Sequence, residues 1–210
     1  SHPTPLRNHY QVLYLDFSRI LGNIDVLEEK FNSYCCDQLN DFIDTYRDDY
    51  PKERVEEFLR SDDHGQKLNL LLNMSRKYGQ ALYLIIDEYD SFTNIVFSEQ
   101  VEETYFKTSL IGKFYSHVFK MFKGMFERIF LTGVSPVTLD DLTSGFNIGW
   151  NVSMAPELDK MLGFSTEDVR QMFTYYKEAG QLPADCDIEA MIAEMKPWYD
   201  NYCFAKECLE

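Results

Sequence analysis

The sequence predicts an α/β fold in which parallel strands form the core of a first domain, followed by a smaller, mainly helical part. Two observations lead to this prediction. Short runs of strand-forming apolar residues alternate with longer amphipathic stretches, which is the pattern of strand–helix–strand units. Beyond about residue 150 the extended runs stop and only helical patterns continue. We therefore divide the chain into residues 1–150 and 151–210.

Three runs have the composition of strands. The first covers residues 11–17, and its carboxyl end carries Asp16. The second, residues 81–86, is apolar on both faces, as expected of a central strand between two layers of helices. The third covers residues 128–132 and ends before a Gly-Val-Ser-Pro turn. Together these runs predict a three-layer core with parallel strands.

The helical stretches are recognised by apolar residues at three- to five-residue steps. In the first part they cover residues 23–46, 51–60, 67–78 and 99–122, and in the second part residues 156–162, 166–179 and 188–195. Ser165 and Asp168 have the spacing of a capping box, and Gly180 is a helix-ending residue. We expect six side chains of the helical part to be buried: Val169, Met172, Phe173, Tyr176, Trp198 and Tyr199.

Composition excludes several classes of protein. The chain has 210 residues, 45% of them hydrophobic and 15% aromatic, which suffices for one large domain with an appendage. Its 20 basic and 35 acidic residues give a net charge of −15, which argues against a protein that coats DNA or RNA. We find no secretory signal and no apolar run of the ~20 residues that a membrane span needs, so we expect a cytoplasmic protein. The five cysteines are expected to be reduced thiols, with a Cys203–Cys208 disulfide as the alternative.

The strongest chemical signal is the apolar strand that ends in Asp87 and Glu88. Ligands of a parallel α/β sheet bind beyond the carboxyl ends of its strands. A Walker B element has this arrangement: Asp87 would bind Mg²⁺ through water, and Glu88 would orient and deprotonate the attacking water. The alternative is that two acids simply end a strand in a solvated turn.

The end of the third strand adds Thr132 and Ser135. Beside a Walker B strand, Thr132 would act as a sensor residue and Ser135 would contact the nucleotide. The alternative is that both hydroxyls satisfy backbone groups of the turn. Asp90 would add to the negative charge that Asp87 and Glu88 give this edge.

The phosphate-binding half of such a site is not recognisable in these residues. A P-loop requires G-x-x-x-x-G-K-[ST], because its backbone amides and its lysine surround the phosphates. The only Gly-Lys pair is Gly112-Lys113, which has Lys107 at the position of the first glycine and is followed by Phe114. The 210 residues therefore contain no Walker A motif.

Six segments give the chain a resemblance to a known family. It resembles the bacterial AAA-ATPase-like family of P-loop proteins, whose members often carry a PD-(D/E)XK nuclease-like domain. The resemblance implies a partial P-loop NTPase core, with the strand at 81–86 between the other two, cut after the P-loop. It also implies Mg²⁺ and ATP as ligands of the intact protein, not of this chain alone. The matching segments, in family order, are Tyr14–Ser18, Ile85–Asp90, Leu131–Pro136, Leu142–Asn147, Leu162–Phe164 with Asp168–Val169, and Trp198–Tyr202.

Three functions are consistent with these observations. The first is the Walker B and sensor part of an AAA-like ATPase that acts as a nucleotide-driven switch and is inactive alone. The second is a non-catalytic module for self-association or for binding a partner protein. The third is a helicase-like ATPase that uses Asp87-Glu88-Tyr89-Asp90 as its D-E-x-D box, although the acidic balance argues against a nucleic-acid ligand.

Overall fold

A computed structural model describes residues 4–91, 113–114, 125–134, 152–153, 155–158 and 163–199. The chain divides into two compact units, Ser1–Ile148 and Gly149–Glu210, which we describe separately. The described part of the first unit contains three strands and three longer helices. The strands are β1 (Gln11–Asp16), β2 (Leu82–Asp87) and β3 (Arg128–Leu131). The helices are α1 (Ile24–Thr45), α2 (Lys52–Leu59) and α3 (His64–Tyr78).

The three strands form one parallel sheet in the order β1-β2-β3. The predicted α/β fold, the parallel pairing and the central position of β2 are thereby confirmed. The register pairs Asp16 of β1 with Asp87 of β2, so both strands end at the same level. Parallel strands of this kind bring their carboxyl ends, and the residues that follow them, to one edge of the sheet.

The helices of the first unit cover one face of this sheet. On that face Leu13, Leu15, Leu84 and Ile86 are buried and belong to a single apolar core. The core continues into α1, α2 and α3 through completely buried side chains such as Leu27, Phe31, Phe58 and Leu71.

The opposite face of the sheet is only partly covered. Val12 and Tyr14 of β1 are exposed there, and Tyr83 and Ile85 of β2 are half-buried. β2 is thus apolar on both faces, as its sequence predicts, but it is fully buried on only one of them. The predicted helix over residues 99–122 lies outside the described residues, apart from 113–114, which are helical and place Phe114 in the core.

Tyrosine hydroxyls close the outer edge of β1. The N–H groups of Val12 and Asp16 donate to Tyr46 (3.0 Å) and Tyr34 (2.7 Å), both on the α1 side. An edge strand with free N–H groups is a template for pairing with another chain. These two bonds satisfy donors of β1 that no strand in the described part accepts.

The second unit is helical in its described part. It contains a short 3₁₀ helix (Pro156–Leu158), α4 (Thr166–Glu178) and α5 (Ile188–Tyr199). Ser165 and Asp168 form the predicted capping box, and Gly180 has a left-handed backbone (φ 71°) after the helix end. Among the described residues of the second unit only Ile192 is buried. The described chain has no helix that is both long and apolar enough to cross a membrane.

The predicted burial of the second unit is wrong. Met172 and Tyr176 are exposed on α4, and Val169 and Phe173 are half-buried. Trp198 and Tyr199 expose 78% and 70% of their surface. The spacing of apolar residues predicts which face of a helix is apolar, but it does not supply a partner to cover that face.

Candidate functional site

The candidate site is the edge of the sheet where β2 and β3 end. Asp87 is the last residue of β2, Glu88 follows it, and Thr132 follows the last residue of β3. Backbone hydrogen bonds join the two strand ends, from the Thr132 N–H to the Ile86 carbonyl (2.9 Å) and from the Tyr89 N–H to the Thr132 carbonyl (3.0 Å). The site residues are therefore placed by the sheet itself.

The Asp87 carboxylate accepts three hydrogen bonds. Its Oδ1 accepts from the Thr132 hydroxyl and from the Glu88 N–H (3.0 Å). Its Oδ2 accepts from the hydroxyl of Tyr14 on β1 (3.0 Å). Donors to a carboxylate favour its ionised form, and the bonds from Thr132 and then Tyr14 lower the pKa of Asp87. Asp87 is thus a fixed, ionised carboxylate at the edge of the sheet.

Glu88 has an unusual backbone conformation. Its φ is 53°, in the left-handed region that residues other than glycine seldom adopt. Such conformations cost on the order of 1–3 kcal/mol and cluster at functional sites. Local bonds hold it, since the Glu88 N–H donates to Asp87 and its carbonyl accepts from the Ser91 N–H (3.0 Å). Within the described part of the chain the half-buried Glu88 carboxylate has no hydrogen bond or ion pair, so it is available to a water molecule.

Asp90 differs from the other two acids. It is only 2% exposed, and its Oδ2 accepts the N–H of Val134 (3.0 Å) in the loop after β3. The expectation that Asp90 contributes to an open acidic edge is therefore wrong, because its side chain points into the protein and fastens the β3 loop. The open negative charge of the site comes from Asp87 and Glu88.

The other predicted residues have different outcomes. Ser135 lies outside the described residues. Asp16, at the end of β1, accepts hydrogen bonds from the N–H and hydroxyl of Ser18 and from Arg19 Nε (3.0 Å). Its carboxylate therefore stabilises the turn that directly follows β1.

Tyr14 was not predicted as a site residue. Strand alternation places its side chain on the same face as Asp16, which the sequence does indicate. What the sequence does not indicate is the register, which pairs Tyr14 with Ile85 and so places Asp87 within reach of the phenol. The signal for this contact lies in the tertiary structure alone.

The residues present fit a magnesium site of the water-mediated kind. Mg²⁺ usually keeps several waters and takes one or two protein carboxylates together with phosphate oxygens. Asp87 supplies an ionised carboxylate with acceptor capacity left, and Glu88 a second carboxylate next to it. No group of three or more His, Cys, Asp or Glu side chains in the described chain could enclose a metal ion by itself. The donor set therefore suits an ion that arrives with water and phosphate, not a structural metal.

Comparison with known proteins identifies a family to which the chain is similar. A family model described as "AAA-ATPase_like: Predicted AAA-ATPase" matches residues 1–143, which is the larger part of the chain. No curated protein and no solved structure matches the chain.

Proposed function

This chain belongs to the AAA-ATPase-like family of predicted AAA-ATPases, and from that premise we propose that it carries the Walker B and sensor part of an ATP-hydrolysing switch. The observation that supports this most directly is the contact between Thr132 and Asp87, with Glu88 beside it in a left-handed conformation. A metal-binding acid, a base and a polar sensor on adjacent strands are the parts that phosphoryl transfer to water requires on this side of the nucleotide.

Each residue has a separate task in this proposal. Asp87 would hold hydrated Mg²⁺, and the ion when bound would neutralise negative charge on the phosphate. Glu88 accepts a proton from the attacking water and orients it. Thr132 keeps Asp87 oriented and presents its hydroxyl to the same edge. Ser135 is proposed as a further contact to the nucleotide.

The test is the substitution Glu88→Gln in the intact protein. The amide keeps the size of the side chain and loses the basic oxygen, so ATP hydrolysis should fall by about 10²–10⁴-fold while ATP binding is retained. The control is Glu56→Gln, which makes the same change on an exposed position of α2. Normal hydrolysis by the Glu88→Gln protein would show that Glu88 is not the base.

A second candidate is a module for self-association or for binding a partner protein. The observation in its favour is the exposed aromatic surface of the second unit, where Trp198 and Tyr199 are largely uncovered. Large exposed aromatic side chains are typical of interfaces. ATP binding by the intact protein separates this candidate from the first, because an interaction module needs no nucleotide.

The helicase-like alternative has less support. If residues 87–90 were a D-E-x-D box, Asp90 would take part in catalysis, but its carboxylate is buried and hydrogen-bonded to the loop after β3. The net charge of −15 also opposes a nucleic-acid ligand. Hydrolysis that single-stranded DNA stimulates would restore this alternative.

A further inference from the structure

We propose that Tyr14 is a positioning residue for Asp87: its phenol holds the carboxylate in the orientation in which one oxygen remains available to a hydrated metal ion. The inference rests on the proposed function, because it assumes that Asp87 is the metal-site acid. It goes beyond that function by assigning a task to a residue of β1, a strand that contributes no acid or base to the proposed chemistry.

The sheet brings Tyr14 to Asp87 in a simple way. Tyr14 is paired with Ile85 on the neighbouring strand, and Asp87 follows two residues later on the same face. Such diagonal neighbours are within reach of an aromatic side chain. The tyrosine hydroxyl spans this diagonal and donates to Asp87 Oδ2 at 3.0 Å.

Counting acceptor positions shows what the bond does. An ionised carboxylate has about four acceptor sites, two on each oxygen. Both sites on Oδ1 are used, by the Thr132 hydroxyl and the Glu88 N–H, and one site on Oδ2 is used by Tyr14. The last site, on Oδ2, is left for a water of the metal shell. The carboxylate rotates about its Cβ–Cγ bond as one unit, and Tyr14 is the only described donor that holds it through Oδ2.

The surroundings of Tyr14 argue against a purely structural role. Its side chain is 43% exposed, and its ring makes no ring-to-ring contact in the described part of the chain. Among the described residues, Asp87 is the one hydrogen-bond partner of its hydroxyl. A hydroxyl that is exposed and yet directed at one carboxylate contributes little to the core, so its removal should alter Asp87 without unfolding the sheet.

The test uses Mn²⁺ as a paramagnetic substitute for Mg²⁺ on the full 210-residue chain. Selective broadening of the amide signals of Asp87, Glu88 and Thr132 reports binding at this edge, and it detects weak binding. In the Tyr14→Phe protein, the Mn²⁺ concentration for half-maximal broadening should rise by about 10-fold or more, the usual cost of losing a partner of a metal ligand. Its melting temperature should fall by no more than about 4 °C.

Two further variants separate the outcomes. Tyr83→Phe removes a hydroxyl from the same face of the sheet without touching Asp87, and it should behave as the unmodified chain. Asp87→Asn should abolish the selective broadening. If Asp87→Asn abolishes it and Tyr14→Phe leaves it unchanged or tightens it, the positioning role is wrong while the metal assignment stands. If the unmodified chain shows no selective broadening, or Asp87→Asn does not reduce it, the metal assignment fails, and this inference fails with it.

Discussion

Gly133, in the loop after β3, packs closely against the turn after β2, and only glycine leaves room for this contact. A Cβ atom on Gly133 would lie 2.6 Å from Asp90 Oδ1 and 2.6 Å from Tyr89 Cε1. Its backbone is not in the left-handed region, so the requirement is for space. This close approach allows Asp90 to accept a hydrogen bond from the Val134 N–H, and it allows the Tyr89 N–H to donate to the Thr132 carbonyl. Gly133 therefore controls the position of the β3 loop relative to the candidate site.

The first prediction is that Gly133→Ala lowers the free energy of unfolding by about 1–3 kcal/mol, the usual cost of overpacking a tight site. Urea denaturation measures it. The matched control is Gly65→Ala in α3, where the nearest atom to the new Cβ is Asp63 Oδ1 at 3.3 Å. Alanine is the better helix former, so this change should be neutral or stabilising by up to about 1 kcal/mol. Equal effects of the two substitutions would contradict the packing argument.

At the scale of secondary-structure elements, a buried lysine joins α1, α2 and α3. Lys67 of α3 is 1% exposed, and its Nζ donates to Asn40 Oδ1 on α1 (2.8 Å) and to the Phe58 carbonyl on α2 (3.0 Å). The ammonium also lies 4.5 Å from the centre of the Phe58 ring. No carboxylate of the described chain is within ion-pair distance of it. Burial therefore lowers the pKa of Lys67 from its ordinary 10.5.

The second prediction follows from the sign of this shift. At pH values below both pKa values Lys67 is charged in the folded and unfolded states, and the cost of burying the charge is fully present. As pH rises through the folded pKa towards 10.5, the unfolded state binds more protons than the folded one, so this cost is relieved. The stability of the unmodified chain relative to Lys67→Met should therefore increase between neutral pH and pH 10.5. Denaturant titrations at both pH values measure it.

The control for this experiment is Lys52→Met, which removes an exposed lysine at the start of α2. Its stability relative to the unmodified chain should change little over the same range of pH. A relative stability of Lys67→Met that is independent of pH, or that changes with the opposite sign, would show that the amine is not desolvated.

The elements themselves were largely predictable, and the exceptions have physical reasons. The helix predicted from residue 67 begins at His64, because the Asp63 side chain accepts the Gln66 N–H and extends the helix by a polar first turn without apolar periodicity. The helix predicted to end at 195 continues to Tyr199 and includes Pro197, a residue that usually ends helices.

The candidate site was predictable in part. The positions of Asp87, Glu88 and Thr132 at the edge of the sheet follow from the ends of the predicted strands, because parallel strands end at the same edge. Tyr14 and the burial of Asp90 depend on register and loop packing, which no local pattern contains.

At the scale of the whole molecule, the two units differ in how they use apolar residues. The first unit has a core of completely buried large side chains, such as Phe17, Phe31 and Phe58. The described part of the second leaves Phe164, Trp198 and Tyr199 exposed. Acidic residues outnumber basic residues in both units, which adds a repulsive field for anionic ligands. The candidate site therefore needs a source of positive charge for any phosphate to bind.

The last prediction is that this chain by itself binds Mg-ATP weakly or not at all. In P-loop proteins phosphate affinity comes from a ring of backbone amides, a lysine and a helix N-terminus, and the 210 residues contain no such motif. Each charge-assisted hydrogen bond is worth about 1.5–3 kcal/mol, and about 1.4 kcal/mol is a factor of ten in affinity. The absence of even two such bonds weakens binding by about 10²–10⁴-fold, while Asp87 and Glu88 repel the triphosphate. Calorimetric titration of Mg-ATP into the purified chain measures this, with Asp87→Asn as the control for heat that arises elsewhere. Micromolar affinity that Asp87→Asn removes would mean that another loop binds the phosphates, and the proposal that the chain is inactive alone would be wrong.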